Sequence, residues 1–361
     1  MGGHWQEWKP VVAMLMVNVV FATTNTLIKK VIDDGLNQVV LITVRQLLAT
    51  LFIAPVAYFR ERETRPKMTT KIFVYLFFSA LLGSSLTQYL FFVGLEYTSA
   101  TFSCAFLNMV PVFTFILAIP FGLERVNVRS KSGIAKVIGP AVCVAGAMLL
   151  TFYQGIALGD TSRHAAEPKE QAASAAAAAA HAALGGAGAR EKWTVGTIAL
   201  FGGTFCWASW FLLQSRLSKK YPALYSSTTV IFFLSFLQAA ALTFATQRSV
   251  SFLILRRKLE ILTLIFAGVV GSGFGFVVMS WCVEKRGPVF TSAFSPLTQI
   301  MVAGIDVTIL HEQLYLGSVL GSALVIAGLY CLLWGKSKDT QIIETKPSEV
   351  NDDIHGSLPK V

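Results

Sequence analysis

Residues 39–59 read VVLITVRQLLATLFIAPVAYF, an apolar run in which Arg45 is the one charged side chain. A helix rises about 1.5 Å per residue, so about 20 such residues cross a hydrocarbon core of about 30 Å. Comparable runs recur along the chain. They predict ten membrane-spanning helices, numbered spans one to ten, near 10–28, 39–59, 72–93, 100–120, 134–153, 194–214, 223–245, 261–282, 289–310 and 316–334. The sequence therefore predicts an all-α membrane protein.

The composition of the whole chain agrees with this interpretation. Hydrophobic residues make up 54% of the 361 residues and charged residues 14%, and the mean hydropathy is +0.61. Soluble domains carry about 25% charged residues. These values exclude an ordinary soluble enzyme, a secreted disulfide scaffold and a nucleic-acid binder. The partners that we expect are the lipid bilayer and a small-molecule substrate, and a homodimer stays open.

The five cysteines all lie within apolar runs and lack the paired spacing of metal ligands. We interpret them as buried thiols and expect no cofactor and no metal. The net charge of +10 is interpreted as a topology signal, because Lys and Arg accumulate in cytoplasmic loops. Their distribution favours cytoplasmic termini for this multi-pass chain, although the basic run at 256–258 opposes that assignment.

Two stretches do not read as membrane spans. Residues 154–192 are rich in Ala and Gly and are expected to form a linker, and the polar tail 336–361 is expected to be disordered. The expected organisation is thus a first five-helix repeat over 1–153, the linker, a second five-helix repeat over 193–335, and the tail.

An internal repeat supports this division. At one constant offset Glu96 corresponds to Glu284, and the pair Ala105-Phe106 to Ala293-Phe294. After a short insertion near 127–132, the matches continue at a smaller offset, with Gly139 on Gly321 and Gly146 on Gly328. Because each half holds an odd number of spans, the second half must enter the membrane from the opposite side. An inverted 5+5 repeat of this kind places the substrate near the midplane.

The chain also resembles a known family, through motifs in both halves. They are GLEYTSAT at 94–101, Asn108, Pro111 and FTF at 113–115 in the first half, and GPVF at 287–290, FSPL at 294–297 and HEQL at 311–314 in the second. The chain is similar to the plant EamA-type transporters. These form the Walls-Are-Thin-related and nodulin-like branch of the drug/metabolite transporter superfamily, also called usually-multiple-acids-move-in-and-out transporters.

The resemblance implies the ten-helix drug/metabolite transporter fold. It also implies a carrier of amino acids, auxin-type compounds or similar small metabolites. Either the plasma membrane or the vacuolar membrane fits, and the plasma membrane is the leading expectation. The resemblance does not choose among these substrates.

Polar side chains inside spans are the candidates for a substrate cavity, because each needs a partner or water at that depth. They are Asn25, Gln88, Tyr89, Asn108, Ser292, Ser295 and Gln299. Pro111 and Pro296 lie beside them in spans four and nine, and each removes one backbone hydrogen bond. Irregular backbone is tolerated at membrane depth where it lines a cavity. The alternative for either proline is a plain helix kink.

Three further residues have two interpretations each. Arg45 could contact a substrate carboxylate, or it could bind helix-end carbonyls or extend toward the headgroups. Asp306 could couple transport to protons, or it could cap or pair near the interface. Trp207, one turn from Trp210, could form an aromatic wall for a solute, or it could pack against lipid and helices.

The sequence offers no catalytic constellation. His311-Glu312 begins a zinc-protease pattern, but Tyr315 stands where the second histidine is required. We therefore expect no enzyme. The leading hypothesis is a secondary transporter that works by alternating access. The alternatives are a facilitative pore or channel and a membrane adaptor that does not transport.

Overall fold

A computed structural model of the protein describes residues 2–34, 36–98, 100–124, 129–153, 187–246, 258–309 and 316–355. Within these ranges the regular secondary structure is entirely helical. The first part contains α1 (Gly2–Asp33), α2 (Gln38–Glu61), α3 (Thr70–Ala80), π1 (Leu81–Ser85), α4 (Leu86–Tyr97), α5 (Ala100–Asn108), α6 (Val110–Ala118) and α7 (Lys131–Phe152). The second part contains α8 (Ala187–Lys220), α9 (Leu224–Thr246), α10 (Lys258–Ile265), π2 (Phe266–Phe274), α11 (Gly275–Arg286), α12 (Pro288–Ser292), α13 (Ser295–Ile309) and α14 (Leu316–His355).

Nine helical segments in the described ranges are long and apolar enough to cross a bilayer. They are Trp8–Ile32, Gln38–Glu61, Thr70–Tyr97, Lys131–Leu149, Glu191–Lys220, Leu224–Thr243, Lys258–Arg286, Pro288–Ile305 and Val319–Lys338. The chain is therefore a multi-pass membrane protein, as predicted. Span four is the exception, because it corresponds to Phe102–Ala118, a shorter apolar stretch that is divided into α5 and α6 at Met109.

The helix starts follow from local sequence. The side-chain oxygens of Asn37 and Ser130 accept hydrogen bonds from the backbone N–H groups of Val39 at 2.9 Å and Gly133 at 3.0 Å. Such caps satisfy donors that a helix leaves without partners in its first turn. The start of α9 is capped from another helix. The buried Glu61 carboxylate accepts from the N–H groups of Tyr225 at 2.9 Å and Ser226 at 2.7 Å.

Helical structure reaches into both of the predicted polar stretches. Helix α8 begins at Ala187, so the end of the predicted linker 154–192 is helical, and residues 154–186 lie outside the described ranges. Helix α14 continues to His355, so the described part of the tail, residues 336–355, is helical. A helix that is already formed extends without a new nucleation step, because each added residue makes its hydrogen bond locally.

The helix contacts of the two parts mirror each other. Helix α2 packs against α9, and α7 packs against α14. Helices α4 and α6 of the first part pack against α8, and α11 and α13 of the second part pack against α1. The first helix of each part thus lies against the third and fourth predicted spans of the other part.

Helices α7 and α14 approach each other through glycines. A β-carbon on Gly139 would lie 2.9 Å from the carbonyl oxygen of Gly328, and one on Gly146 would lie 2.8 Å from that of Gly321. The pairs run in opposite directions along the two helices, so the helices are antiparallel. Small residues allow helix backbones this close in a membrane. Glycines on both helices therefore form the contact between α7 and α14.

The π-helical segments occupy matching positions in spans three and eight. Gly83 lies in π1 and contacts the Trp210 indole of α8, whereas Gly271 lies in π2 and contacts the Thr24 side chain of α1. In both cases a β-carbon would collide with the neighbouring side chain. Each π segment therefore accepts a side chain from the first helix of the other part.

Candidate functional site

The structure encloses a cavity of about 230 Å³, here called the central cavity, where α1, α8 and α11 meet the breaks in spans four and nine. Its polar lining consists of amides and hydroxyls, from Asn18, Asn25, Asn108, Thr291, Ser295 and Thr298. Its apolar lining includes Met14, Phe21, Trp207, Phe211 and Met279. No charged side chain is among the described residues that line it.

The breaks beside this cavity arise from the two predicted prolines. Pro111 is buried in the first turn of α6, and α5 ends at Asn108, so Met109 separates the two helices. Ala293 and Phe294 separate α12 from α13, in which Pro296 is the second residue. The break at span four receives a contact from α8, because the Thr204 hydroxyl lies 3.3 Å from the carbonyl oxygen of Phe106. Irregular backbone thus lies beside a cavity, where it is tolerated at membrane depth.

A chain of amide hydrogen bonds links these breaks. The Nδ2 atom of Asn108 donates to Oε1 of Gln299 at 2.6 Å, and Nε2 of Gln299 donates to the Thr151 hydroxyl at 3.1 Å. Thr151 in turn donates to the Ala147 carbonyl at 2.7 Å. Hydrogen bonds in series polarise one another in a medium of low dielectric constant. The network joins α5 and α7 of the first part to α13 of the second part.

A second polar contact closes the other side of the central cavity. The Thr298 hydroxyl donates to Oδ1 of Asn18, and Nδ2 of Asn18 donates to the Met14 carbonyl at 2.7 Å. Asn18 is buried on α1, and Thr298 lies on α13 one residue before Gln299. Two consecutive residues of α13 therefore bind two different helices of the first part, Thr298 binding α1 and Gln299 binding α5.

Aromatic side chains form one wall. The Trp207 and Trp210 rings stack with centroids 5.1 Å apart and an interplanar angle of 18°. Trp207 lines the cavity, whereas Trp210 is fully buried behind it against Gly83. The edge of Phe276 meets both rings. Packing holds Trp207 in place, so the two interpretations of this residue are compatible here.

The structure brings many of the predicted residues together. Asn25, Asn108, Trp207 and Ser295 line the central cavity, and Gln299 binds Asn108 directly. Ser292 is buried in the break, and its hydroxyl donates to the Val289 carbonyl at 3.2 Å. The Ser292 hydroxyl therefore forms its hydrogen bond within its own helix.

Three predicted residues lie elsewhere. Tyr89 lines a second cavity between α2, α4 and α9. Gln88 lines neither cavity, and its Oε1 atom is buried without a hydrogen-bond partner in the described part of the chain. These two residues therefore do not line the cavity that Asn108 lines. Sequence reports the depth of a residue in a span, but the face of the helix on which it lies depends on how neighbouring helices pack.

Arg45 is half-buried on α2 and does not line the central cavity. Its Nε atom is buried and has no hydrogen-bond partner among the described residues, carbonyl groups included. The backbone of Asp306 lies on α13. Its side chain lies outside the part of the chain that the structure describes.

Several residues of the site were missed by sequence reasoning. Asn18 is an amide in the middle of span one and carried the same signal as Asn25. Thr151 and Thr298 could not be distinguished from the many threonines in spans whose hydroxyls bond to their own helix, as those of Thr24 and Thr114 do. In the described ranges, no three His, Cys, Asp or Glu side chains converge as metal ligands would.

Comparison with known proteins places this arrangement in a family. Residues 8–152 and 194–334 each match the EamA-like transporter family. A WAT1-related protein of Arabidopsis thaliana is 46% identical over 97% of this chain and 93% of its own length, and a second is 44% identical over 91% and 87%. A crystal structure aligns with 90% of this chain and 96% of its own at a TM-score of 0.65 and 13% identity, which shows a shared fold. The chain therefore belongs to the EamA-like transporter family and is a relative of its WAT1-related plant members.

Proposed function

We propose that this protein is a secondary transporter of amino acids or related small organic metabolites, auxin-type acids included, and that the central cavity binds the substrate. The observation that carries the proposal is the Asn108–Gln299 bridge at 2.6 Å, which joins the broken helices of the two parts at the cavity wall. Family membership favours a transporter over an enzyme.

The second element of the proposal is an inverted 5+5 repeat of ten helices. It is supported by glycine contacts between α7 and α14. When each glycine is replaced by its counterpart in the other part, the same contacts result. Gly139 corresponds to Gly321 and Gly146 to Gly328, and Gly139 contacts Gly328 while Gly146 contacts Gly321. The two separate matches to one family model agree with such a duplication. A pseudo-two-fold axis in the membrane plane passes between α7 and α14 in this arrangement.

The chemistry of the cavity narrows the substrate class. Its lining offers amides, hydroxyls and aromatic rings without a fixed charge. A solute with a net charge would lose its hydration and gain no counter-ion there, which is costly. Neutral and zwitterionic solutes are therefore favoured, and auxin-type acids fit in their protonated, uncharged form. The Asn108 and Asn25 amides supply donors and acceptors for the polar groups of such solutes.

Alternating access follows from the position of the bridge. Rocking of one repeat against the other opens the cavity to either side in such transporters. The Asn108–Gln299 and Asn18–Thr298 contacts cross between the repeats, so this movement would break and re-form them. Proton coupling through Asp306, a plasma-membrane location and cytoplasmic termini belong to the same proposal and rest on the sequence.

Flux into proteoliposomes that contain the purified protein tests the proposal. We expect saturable uptake of neutral amino acids or indole acids that a trans gradient of the same solute stimulates. Asn108→Ala is expected to raise KM by about 2-fold to 10-fold, the value of one or more lost hydrogen bonds. Thr308→Ala, an exposed hydroxyl on α13, is the matched control and should leave KM unchanged.

The alternatives give different results in the same assay. A pore would give a rate that stays linear in concentration and lacks trans-stimulation. An adaptor would give no flux, and its function would be lost on deletion of residues 337–361. If Asp306→Asn retained full dependence on an imposed pH gradient, proton coupling through that residue would be excluded.

A further inference from the structure

The second cavity, here called the side cavity, has a volume of about 430 Å³ and lies between α2, α4 and α9. No residue that lines it also lines the central cavity. It extends along the α4 side of span three from Ser85 to Glu96, which corresponds to about 16 Å of helix rise. The side cavity is therefore a separate, elongated space.

One end of the side cavity carries an incompletely satisfied amide. The Ser85 hydroxyl donates to Oε1 of Gln238 at 2.7 Å. The Nε2 atom of Gln238 is buried and has no hydrogen-bond partner in the described ranges. A buried amide nitrogen without an acceptor costs about 1–3 kcal/mol, so an oxygen or a π face brought by a ligand would be stabilised there.

The other end carries a carboxylate. Glu96 is exposed in the last turn of α4, and it forms no salt bridge with the described residues. The walls between Glu96 and Gln238 are mainly apolar, with Ile42, Phe92 and Leu242 among them. The side cavity thus offers a negative charge at the end of the span, an apolar channel, and a polar group at membrane depth.

We propose that the side cavity binds an elongated amphipathic amine, whose ammonium group lies against Glu96 and whose apolar body ends in an oxygen or an aromatic ring beside Nε2 of Gln238. The negative charge of Glu96 favours a positively charged head group, and the apolar walls favour a hydrophobic body. This site is independent of the proposed substrate site, because the two cavities have no lining residue in common.

A quaternary amine and two matched amphiphiles test the proposal. Octyltrimethylammonium, octyl sulfate and octanol are titrated into the protein in lipid nanodiscs, with empty nanodiscs as the background. We expect saturable binding of the ammonium compound and weaker binding of the other two. Equal binding of octyl sulfate or octanol, or an absence of saturable binding, would overturn the proposal in favour of lipid or no ligand.

Two variants locate the site. Glu96→Gln removes an exposed charge and should weaken ammonium binding up to about fivefold, the effect of one exposed ion pair. Glu284→Gln is the matched control, because Glu284 corresponds to Glu96 in the second repeat, is exposed and lines neither cavity. Val93→Trp fills the side cavity and should reduce binding at least tenfold. Equal affinities in Glu96→Gln and Glu284→Gln would contradict the proposal even if Val93→Trp failed to fold.

Discussion

The third and fourth predicted spans of the first part and their counterparts in the second part, spans eight and nine, reach the same shape with different residues. Both pairs contain a π segment, π1 and π2, with a glycine that accepts a side chain from the opposite part. Both pairs then contain a broken span, at Met109 in one and at Ala293-Phe294 in the other. The positions of the two breaks differ by about one helical turn in the aligned parts. The fold therefore accepts a helix break at either of these two positions.

The difference lies in the polar groups at the breaks. The first part supplies Asn108 to the cavity, whereas the second part supplies Ser295, Thr298 and the Gln299 amide that binds Asn108. The two parts thus share the position of their helix breaks but not the polar side chains beside them. The matching packing holds the cavity in place, and the side chains that differ give it its polar groups.

A buried charge cluster also connects the two parts. The Glu124 carboxylate contacts Nζ of Lys136 at 3.0 Å and Nζ of Lys336 at 2.8 Å, so it binds one helix from each part. Glu124→Gln is expected to lower the free energy of unfolding by about 3–5 kcal/mol, because two buried cations lose the carboxylate that they contact. Unfolding in mixed detergent micelles measures the loss.

The control for this experiment is Glu284→Gln, in which an exposed glutamate lies 3.8 Å from Lys285. An exposed pair contributes about 0–1 kcal/mol, so the control should change little. Equal effects of the two variants would mean that the cluster does not connect the parts energetically.

The glycine contacts between α7 and α14 should behave symmetrically. Gly146→Ala and Gly328→Ala, at corresponding positions of the two parts, each place a methyl group against the backbone of the other helix, at 2.7 Å and 2.5 Å from the nearest backbone nitrogen. Each is expected to cost about 1–3 kcal/mol, the usual range for overpacking. Gly304→Ala has no atom nearby and should stabilise α13 by up to about 1 kcal/mol through helix propensity. Thermal unfolding in detergent compares the three, and a large difference between the first two would argue against an equivalent role.

Much of the fold could be predicted because the length of an apolar run is a local property. The nine long segments and the breaks beside Pro111 and Pro296 follow from composition and proline chemistry. The π segments could not be predicted in this way, since Gly83 is accommodated by Trp210 from a distant part of the chain. The helical extension of α14 to His355 was missed because polar composition alone does not exclude a helix that continues from an apolar one.

The site was predicted in part for a related reason. Asn108, Gln299 and Ser295 were identified as polar groups at membrane depth, and depth can be read from position within a span. The same signal, a polar side chain at membrane depth, is given by Arg45, Gln88 and Tyr89. Their side chains, however, lie on helix faces that do not line the central cavity. The face is set by contacts such as α2 with α9 and α4 with α8, which join residues far apart in the chain.

The smallest expected effect tests the contact that joins the two parts at the cavity. A double-mutant cycle of Asn108→Ala and Gln299→Ala should give a coupling free energy of about 0.6 kcal/mol, the average for hydrogen bonds between membrane helices. The control cycle pairs Asn108→Ala with Thr308→Ala, whose effects should add within about 0.3–0.5 kcal/mol because Thr308 is exposed and bonds to its own helix. The coupling should appear in the free energy of unfolding and also in KM, since Asn108 lines the cavity and Gln299 orients it. A coupling in stability with no coupling in KM would leave the bridge a structural contact, and the solute would then have to be recognised by the Asn18–Thr298 side of the cavity.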